Sequence, residues 1–459
     1  MYYHNMIKDI QELDCFFNSY NPSMGSGKLR NNRLDRMRIL LSFLNNPDKA
    51  FQSIHIAGSK GKGTTATYIA KIIEQNGYKC GLYMSPHVYD LRERFTLAGN
   101  YFSTEKYLKA ANELESAVEK ITFDEELGLE KPTTFELYTA FALLLFKNTE
   151  CKYAVIETGL GGRLDATNVI EPIASVFTTI ELEHTNVLGN TITEIASEKA
   201  GIIKKGIPVF TSKLEDEAFD VIENRCRTMN SKLYDIEEHK DKIKSDFSNN
   251  STYIDSSMVH NGREFHLSSE YISPIKWFDS LYAFFIVTML GINCNKHIKL
   301  AEITMPARYE ERMLHINPDK TIRFVFDGAH TPKSAFKTME AIAKDLELRP
   351  CNVGPEKAVL LFSLAEGKNA REIISILLPY FKNVIITSCG SFKKSDPEAL
   401  YEIATELFPS HTISLSSDPL NATITAIGQT PPDGTVFVIG SFYLCSEIDK
   451  ALKELNYES

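Results

Sequence analysis

The sequence predicts an α/β protein with a mostly parallel sheet of the P-loop ATPase type, followed by a smaller Rossmann-like α/β domain. Short apolar runs alternate with helical patterns, which is typical of parallel sheets covered by helices on both faces. A glycine-rich segment separates the first predicted strand from the first helix. After about residue 298 the same alternation starts again, which indicates a second domain.

The first domain is expected to begin with a βαβ unit, formed by a strand at 51–57, a helix ending near Gln75 and a strand at 79–84. Alternating residues around a Gly-Asn turn predict a hairpin at 92–103. Further helices are predicted near 104–120, 133–147 and 191–203, and further strands near 152–158, 173–179 and 207–211.

The second half of the chain contains a polar stretch, a helix and a set of regular strands. Residues 213–250 are rich in Lys, Asp and Asn and suit an exposed insertion. A helix is predicted at 274–290 and a linker at 291–298, so we expect domains at 1–296 and 297–459. Strands of the second domain are predicted near 321–327, 357–364, 383–388, 411–415 and 435–440.

Composition excludes several classes of protein. The chain has 459 residues, of which 43% are hydrophobic and 24% charged, as expected for two globular domains. The net charge of -10 argues against nucleic-acid binding, and no apolar run approaches a membrane span. The eight cysteines lack zinc-site spacing, so buried thiols are favoured over disulfides. We expect a soluble, cytoplasmic monomer.

The segment from Gly58 to Thr65 is the strongest motif. It follows a strand and opens a helix, so its amides and the helix N-terminus favour phosphate oxygens. Lys62 would reach the β- and γ-phosphates, although the spacing before it is two residues shorter than in the common P-loop pattern. The alternative is a glycine-rich turn with a solvated lysine. The predicted ATP-binding residues here are Gly58, Ser59, Lys60, Gly61, Lys62, Gly63, Thr64 and Thr65.

Polar residues also follow three other predicted strands of the first domain, where ligands of open α/β sheets bind. Ser85 could ligate Mg²⁺ through its hydroxyl, and Glu157 is a hard-cation ligand before the loop Gly159–Asn168. His184 could bind a second cation or a phosphate. The alternatives are a turn residue at Ser85, a surface glutamate at Glu157 and a structural histidine at His184. Lys199, near a helix end, would alone be read as solvated.

In the second domain, a predicted strand ends in Asp327-Gly328-Ala329-His330, and Arg308 lies shortly before it. An acid, a histidine and an arginine at one sheet edge could close over a nucleotide bound in the first domain. Each of the three residues is ambiguous alone.

Together and in order, these segments resemble the Mur ligase superfamily, and more narrowly the folylpolyglutamate synthase/dihydrofolate synthase family. The resemblance runs from about residue 30 to the C-terminus. It is carried by HIAGSKGKGTT, GLYMSPHVYDLRERF, TTFELYTAFA, VIETGLGGRLDATN, the EH…LGNTITEIASEKAGIIKKGIPV run, DGAH and VFVIGSFYL.

The resemblance implies an ATP-dependent ligase that joins L-glutamate to a folate carboxylate through an acyl phosphate. The first domain would bind ATP and folate, and the second would serve glutamate ligation. The implied roles are catalysis by Lys62, Glu157, His184 and Lys199; two Mg²⁺ ions held by Ser85, Glu157 and His184; carbamylation of Lys199; nucleotide contacts from Arg308, Asp327 and His330; and folate contacts from Phe135, Pro86 and His87.

The sequence also departs from the family pattern. Ser59-Lys60 replaces Thr-Asn, Thr331 follows DGAH in place of Asn, and residues 275–280 replace the usual His-Gln-x-x-Asn-Ala. Residues 31–36 differ from the stretch that helps bifunctional bacterial members hold dihydropteroate, which leaves that activity open. The alternatives are a Mur-type ligase for another carboxylate and amino acid, or a non-catalytic P-loop module.

Overall fold

The structure is a computed structural model that describes residues 6–20, 33–121, 131–246, 253–270, 274–292, 295–300, 303–348, 356–390 and 393–457. The chain divides into two compact units, Met1–Glu270 with Phe278–Ala301, and Tyr271–Trp277 with Glu302–Ser459. Residues 297–301 therefore belong to the first unit, whereas the sequence placed the boundary at 296/297. Residues 31, 32, 247–250, 293 and 294 of the predicted stretches lie outside the described residues.

The first unit is built on a seven-stranded sheet in the order β3-β2-β4-β1-β5-β6-β7, parallel except for β3. The strands are β1 Gln52–Ala57, β2 Cys80–Tyr83, β3 Phe95–Leu97, β4 Tyr153–Glu157, β5 Ala174–Phe177, β6 Val209–Thr211 and β7 Leu233–Asp235. Residues of β1, β2, β4, β5 and β6 are buried almost without exception, as in a sheet covered on both faces.

Helices cover both faces of this sheet. They are α1 Ile10–Asn18, α2 Arg33–Phe43, α3 Lys62–Gln75, α4 Thr104–Lys120, α5 Thr134–Asn148, α6 Thr185–Leu188, α7 Ile192–Ala200, α8 Asp216–Met229 and α9 Pro274–Met289, with short 3₁₀ helices at Pro47–Lys49, Leu91–Arg94, Ala166–Val169 and Glu237–Lys242. One apolar core joins α1, α2, α4 and α5 to the sheet, and another joins α7 and α8. The predicted strands and helices of the βαβ start are confirmed.

A smaller sheet, ordered β11-β10-β9-β8, completes the first unit. Its strands are β8 Ile243–Asp246, β9 Tyr253–His260, β10 Arg263–Glu270 and β11 His297–Leu300. The side chain of Gln75 at the end of α3 exchanges two hydrogen bonds with the main chain of Lys299, at 2.6 and 3.0 Å. This contact attaches β11, part of which the sequence read as linker, to the P-loop helix.

Two expectations for the first unit are wrong. Residues 92–103 do not form an extended hairpin: Leu97 and Asn100 form a single antiparallel bridge, closed by hydrogen bonds of 2.8 and 2.9 Å, and β3 pairs with β2. The stretch 213–246 is not an exposed insertion. Residues Ala218, Ile222 and Cys226 recur every four positions, so α8 buries one face, and β7 extends the main sheet.

The second unit is a six-stranded sheet in the order β12-β13-β17-β14-β15-β16, with β12 antiparallel and the rest parallel. Its elements are β12 Arg308–Asn317, β13 Lys320–Asp327, α10 Pro332–Leu348, β14 Ala358–Phe362, α11 Ala370–Leu377, a single turn Leu378–Tyr380, β15 Asn383–Ile386, α12 Pro397–Leu407, β16 Thr412–Leu415, α13 Pro419–Gln429, β17 Thr435–Ile439 and α14 Phe442–Glu454. The five predicted strands are confirmed. The edge strand β12 was not predicted, and its register shifts near both ends.

Other sequence expectations concern cysteines and membranes. Cys80, Cys151, Cys226, Cys389 and Cys445 are free and buried, as predicted, while Cys15 is free and exposed. None of the helices in the described part of the chain combines the length and apolarity that crossing a bilayer requires.

Candidate active site

The glycine-rich loop between β1 and α3 runs close to the end of β5. A Cβ atom on Gly58 would lie 1.9 Å from the Thr178 hydroxyl oxygen, so the main chain approaches where no other residue fits. Gly61, with φ of 82°, turns the chain into α3. The loop is therefore a tight strand-to-helix turn, as the motif predicted.

Hydrogen bonds fix this loop to the residues that follow β5. The Ser59 amide donates to the Thr179 carbonyl at 2.6 Å, and the Lys60 amide donates to the Thr179 hydroxyl at 3.1 Å. The amide of Glu181 donates to the Ser59 hydroxyl at 2.9 Å. Ser59 and Glu181 are 122 residues apart in the sequence, so the tertiary fold rather than local sequence sets the conformation of the loop.

Lys62 and Glu157 meet at the carboxyl ends of β1 and β4. The Lys62 Nζ atom donates to the carbonyls of Gly58 and Ser59 at 3.0 and 3.3 Å, and lies 3.9 Å from Glu157 Oε1. The other carboxylate oxygen, Oε2, accepts from the Ser85 amide at 3.0 Å. Glu157 is 3% exposed, so the surface-glutamate alternative is wrong.

Lys199 is buried in the same place rather than solvated, with 2% of its surface exposed. Its Nζ atom donates to Gly58 O and to Glu183 Oε1, both at 2.9 Å. Burial, assisted by the positive charge of Lys62, lowers the pKa of Lys199 to about 8, although Glu183 opposes the shift. The Glu183 carboxylate, which the sequence reading did not select, has a lowered pKa because Lys199 and Lys62 outweigh its burial.

Two ammonium groups thus donate to a single carbonyl oxygen, that of Gly58. Like charges at such short range repel strongly in a partly dry site, and Glu157 and Glu183 offset part of this repulsion. An anion that approaches the loop gains from both ammonium groups and from the amides at the start of α3. The arrangement is chemically suited to a polyphosphate.

His184 is the residue predicted to bind a second cation or a phosphate. It is exposed and has a left-handed φ of 49° in the residue before α6. Its neighbour Glu183 contacts Lys199. No group of three or more His, Cys, Asp or Glu side chains suited to a metal ion occurs within the described ranges.

The loop after β4 is held by a buried acid. The Asp165 carboxylate accepts from the amides of Gly159 and Leu160, at 3.0 and 2.9 Å, and from the amide and hydroxyl of Thr167. Burial raises the pKa of Asp165, while these donors oppose that rise. Gly159 leaves room for the Phe135 ring, which a Cβ atom there would meet at 2.3 Å.

A buried histidine extends this network. The Thr167 hydroxyl has one hydrogen, which it donates to Asp165, so we assign the donor role in its 2.8 Å contact to His55 Nε2. The other ring nitrogen, Nδ1, is buried without a hydrogen-bond partner among the described residues. Burial, with a smaller contribution from Lys204, lowers the pKa of His55 to about 3.

The segment after β2 carries the predicted folate contacts Pro86 and His87. Pro86 is exposed, and His87 Nδ1 accepts from Arg94 Nε at 2.7 Å. Burial and the nearby Arg94 charge lower the pKa of His87 to about 4, so the imidazole is neutral at pH 7. The guanidinium carbon of Arg94 lies 4.5 Å from the centroid of the Tyr138 ring, so this segment carries a positive charge beside His87.

Phe135 lies in the first turn of α5, which is unusually well fixed. Thr133 and Glu136 form a capping box at the helix start. The Glu136 carboxylate also accepts two hydrogen bonds from Arg36 of α2, at 2.6 and 2.9 Å, in a buried ion pair. This pair, which the sequence reading missed, fixes the turn that presents Phe135.

In the second unit, Arg308 and His330 lie beside a common aromatic ring. The Arg308 guanidinium carbon lies 5.3 Å from the centroid of Phe442, and the His330 ring centroid lies 6.2 Å from it. A Cβ atom on Gly328 would meet the same ring at 2.6 Å. Phe442 begins α14 directly after β17, within the VFVIGSFYL segment, but it was not selected from the sequence.

Asp327 organises the same sheet edge. Its carboxylate accepts from the amides of Tyr309 and Ala329 and from the Thr338 hydroxyl, at 3.0, 2.9 and 3.1 Å. Burial raises the pKa of Asp327, and these donors oppose the rise. Arg308 is the register partner of Asp327 between β12 and β13, so the fold brings together the acid, the arginine and the histidine that the sequence indicated.

The fold and this site define a Mur ligase. The family model of the Mur ligase middle domain matches residues 56–274, and that of the dihydrofolate synthetase C-terminal domain matches residues 311–453. The chain belongs to the folylpolyglutamate synthase/dihydrofolate synthase family.

Individual relatives match along almost the whole chain. The dihydrofolate synthase/folylpolyglutamate synthase of Bacillus subtilis is 29% identical over 441 residues, covering 92% of this chain and 95% of the relative. The dihydrofolate synthetase of Saccharomyces cerevisiae is 27% identical over 431 residues, covering 90% and 96%. The crystal structure of folylpolyglutamate synthase from Thermotoga maritima superposes with a TM-score of 0.75 at 27% identity, covering 97% and 96%.

Proposed function

We propose that this chain is an ATP-dependent ligase that joins L-glutamate to the carboxylate of a folate, forming tetrahydrofolyl-polyglutamates through an acyl phosphate. The observation that carries the proposal is the pair of ammonium groups, Lys62 and Lys199, that share the Gly58 carbonyl beside Glu157. A nucleotide-binding switch needs the loop, but it has no need of a second buried lysine supported by Glu183.

In this proposal the residues from Gly58 to Thr65 hold the ATP phosphates. Main-chain amides at the start of α3 and the Lys62 ammonium stabilise the charge that spreads over the γ-phosphoryl oxygens during transfer. The folate carboxylate attacks the γ-phosphorus, the bond to ADP breaks, and an acyl phosphate forms. The neutral amine of glutamate then attacks the acyl carbon, inorganic phosphate leaves with the electron pair of the C–O bond, and the nitrogen releases a proton to the departing phosphate or to water as the amide forms.

The donor set around Glu157 fits a magnesium ion. Mg²⁺ takes few protein carboxylates and completes its shell with phosphate oxygens and water, so one buried carboxylate, whose Oε2 atom accepts from the Ser85 amide, is compatible with such a site. Ser85 and Glu157 would hold the first ion, and His184 would hold a second. The ions would neutralise phosphate charge and so lower the cost of bringing two anions together.

Carbamylation of Lys199 is also part of the proposal, and the burial of this lysine supports it. A neutral lysine amine adds to carbon dioxide and releases a proton, and a buried amine with a lowered pKa supplies the neutral form more readily. The product is an anion in place of an ammonium, which would replace the pairing with Glu183 by repulsion and provide an oxygen ligand for a cation.

The remaining roles concern the substrates. Phe135, Pro86 and His87 are proposed to contact the folate, where the neutral His87 would offer an imidazole rather than a positive charge. Arg308, Asp327 and His330 are proposed to contact the nucleotide. Folate, glutamate and ATP are then the partners of a cytoplasmic monomer that binds neither nucleic acid nor membrane.

A second activity, addition of glutamate to dihydropteroate, is favoured by one observation. The family model that matches residues 311–453 is that of dihydrofolate synthetase, and the relative from Bacillus subtilis carries both names. Arg36 belongs to the stretch 31–36, which differs from the family pattern. Its guanidinium pairs with Glu136 and so is not available to a ligand. We therefore treat the second activity as open to the same experiment.

The test measures ADP release by the purified protein with ATP, Mg²⁺ and glutamate, in parallel with tetrahydrofolate, with dihydropteroate, or with neither. ADP release that requires both glutamate and tetrahydrofolate supports the proposal, and product mass should rise by one glutamyl unit. Release with dihydropteroate as well adds the second activity. ADP release independent of pterin and glutamate, or none in any mixture, refutes the ligase.

A further inference from the structure

Arg308 lies between two residues whose backbone is strained. Ala307 and Tyr309 have φ of 48° and 51°, in the left-handed region that residues with a side chain rarely adopt, bulky ones least of all. Tyr309 is also the extra residue of a β-bulge, because the register of β12 on β13 passes from Arg308 directly to Glu310. Such strain persists only where the surrounding structure holds it, and bulges beside active sites redirect a side chain.

Carboxylates hold the main chain of this turn, residues 307–309, on both sides of Arg308. The amide of Ala307 donates to Glu310 Oε2 at 2.8 Å, and the amide of Tyr309 donates to Asp327 Oδ2 at 3.0 Å. Hydrogen bonds to a charged acceptor are stronger than those between neutral groups. The two strained residues are therefore each fixed by an acid of the same unit.

The side chain of Tyr309 attaches the turn to the interior of the second unit. It is 4% exposed, and its hydroxyl donates to Asp345 Oδ2 of α10 at 2.9 Å. Burial and the Asp345 charge raise the pKa of Tyr309, so the hydroxyl keeps its hydrogen at neutral pH. Arg323 donates to the same Oδ2 atom at 2.5 Å and to Glu311 at 3.1 Å. Asp345 therefore stays paired with a cation when the tyrosine hydroxyl is removed.

The direction of the Arg308 side chain depends on this turn. Its Nη1 atom donates to the Pro306 carbonyl at 3.2 Å, and its guanidinium carbon lies beside the Phe442 ring, as described above. Tyr309 joins Arg308 to the regular part of β12. A change of the Tyr309 φ from the left-handed to the extended region would therefore move the arginine away from these contacts.

We propose that Tyr309 is a positioning residue, whose hydrogen bond to Asp345 holds the turn 307–309 in the conformation from which Arg308 contacts the nucleotide. The inference rests on the proposed function, because it assumes that Arg308 contacts ATP. In this role Tyr309 acts without touching the nucleotide, by raising the fraction of molecules in which the arginine is correctly placed. The apparent dissociation constant equals the intrinsic constant divided by that fraction.

Tyr309→Phe removes the hydroxyl and keeps the aromatic ring in the core. We expect the dissociation constant for an ATP analogue to rise roughly fivefold, because the loss of one hydrogen bond lowers the population of the correctly placed turn. The KM for ATP should rise by a similar factor, while kcat changes by less than about twofold, because the arginine is placed before the chemical step.

The experiment titrates the whole chain with the β,γ-methylene analogue of ATP and Mg²⁺, for wild type, Tyr309→Phe, Arg308→Ala and the double variant. Tyr380→Phe, which removes the hydroxyl of an exposed tyrosine in the same unit, is the matched control. Thermal melts identify variants that do not fold. Asp345→Asn, which weakens the same hydrogen bond from its acceptor side, takes the place of Tyr309→Phe if that variant does not fold.

The proposal expects weaker binding by Tyr309→Phe in the wild-type background. In the Arg308→Ala background the same substitution should change binding by less than about 1.5-fold, because no arginine is left to position. A tyrosine that only stabilises the fold would lower the melting temperature and leave the binding constant unchanged.

Wild-type binding by Tyr309→Phe overturns the inference, as does an equal loss in both backgrounds. Wild-type binding by Arg308→Ala overturns it as well, because the arginine then contributes nothing to nucleotide binding. If the wild-type protein binds no analogue, the proposed function itself fails, whereas normal binding by wild type with an inert Tyr309 hydroxyl refutes only the inference.

Discussion

Acidification should destabilise the first unit through His55, a residue that does no chemistry in the proposed reaction. The pKa of His55 is lowered from 6.5 to about 3, mainly by burial. Protonation would also place a hydrogen on Nδ1, where no acceptor lies among the described residues. Because the unfolded chain takes up the proton first, stability is lost as the pH falls from about 6.5 towards 3.

The magnitude follows from the two pKa values. A shift of this size corresponds to about 5 kcal/mol when the histidine is fully protonated in both states. Between pH 7 and pH 4.5 the loss attributable to His55 is about 2–3 kcal/mol, which is a large fraction of the stability of a typical domain.

The assay compares wild type with His55→Gln, whose side-chain amide can still donate to the Thr167 hydroxyl but does not titrate. Urea unfolding at pH 7 and pH 4.5 is followed by pulsed hydrogen exchange, read from β1 peptides so that the result belongs to the first unit. Wild type should lose about 2–3 kcal/mol more than the variant. Equal losses in the two proteins would show that His55 does not carry the acid sensitivity.

Three further outcomes are expected. Lys199→Ala should lower kcat by about 10²–10³-fold with a small change in the KM for ATP, because the site loses either an ammonium beside the phosphates or, in the carbamylated form, an oxygen ligand for a cation; activity near wild type would favour a nucleotide switch. Phe135→Ala should raise the KM for folate roughly tenfold, because the folate loses an aromatic contact, and should leave the KM for ATP unchanged. Steady-state assays in which each substrate is varied in turn would measure both constants. Phe442→Ala should weaken binding of the ATP analogue a few-fold, since Arg308 and His330 lose the ring beside which they lie; titration giving the wild-type constant would contradict this.

The strands could be predicted because buried parallel strands leave continuous apolar runs in the sequence. Residues of β1 and β4 illustrate this, since nearly all of them are buried. The failures have a different origin. The stretch around α8 was judged by its overall polarity, although its apolar residues repeat with helical spacing, and β12 was missed because an edge strand mixes polar and apolar residues.

The site was harder to predict than the fold because its contacts join distant segments. Gly58 and Lys199 are 141 residues apart and Lys199 and Glu183 are 16 apart, and nothing in either local sequence indicates that a lysine near a helix end is buried. Motif order and family resemblance selected Lys199, Glu157 and Asp327. The partners Glu183, Arg36 and Phe442 become identifiable only when the strands are arranged into sheets.

The irregular register of β12 bears on how the protein behaves at high concentration. An edge strand of ten residues would ordinarily offer a template to which another chain can add. The shifts between Arg308 and Glu310 and between His315 and Asn317 interrupt the row of outward-facing amides and carbonyls near both ends. The regular segment from Glu310 to His315 is left for intermolecular pairing, so the geometry of β12 limits aggregation along this edge of the sheet.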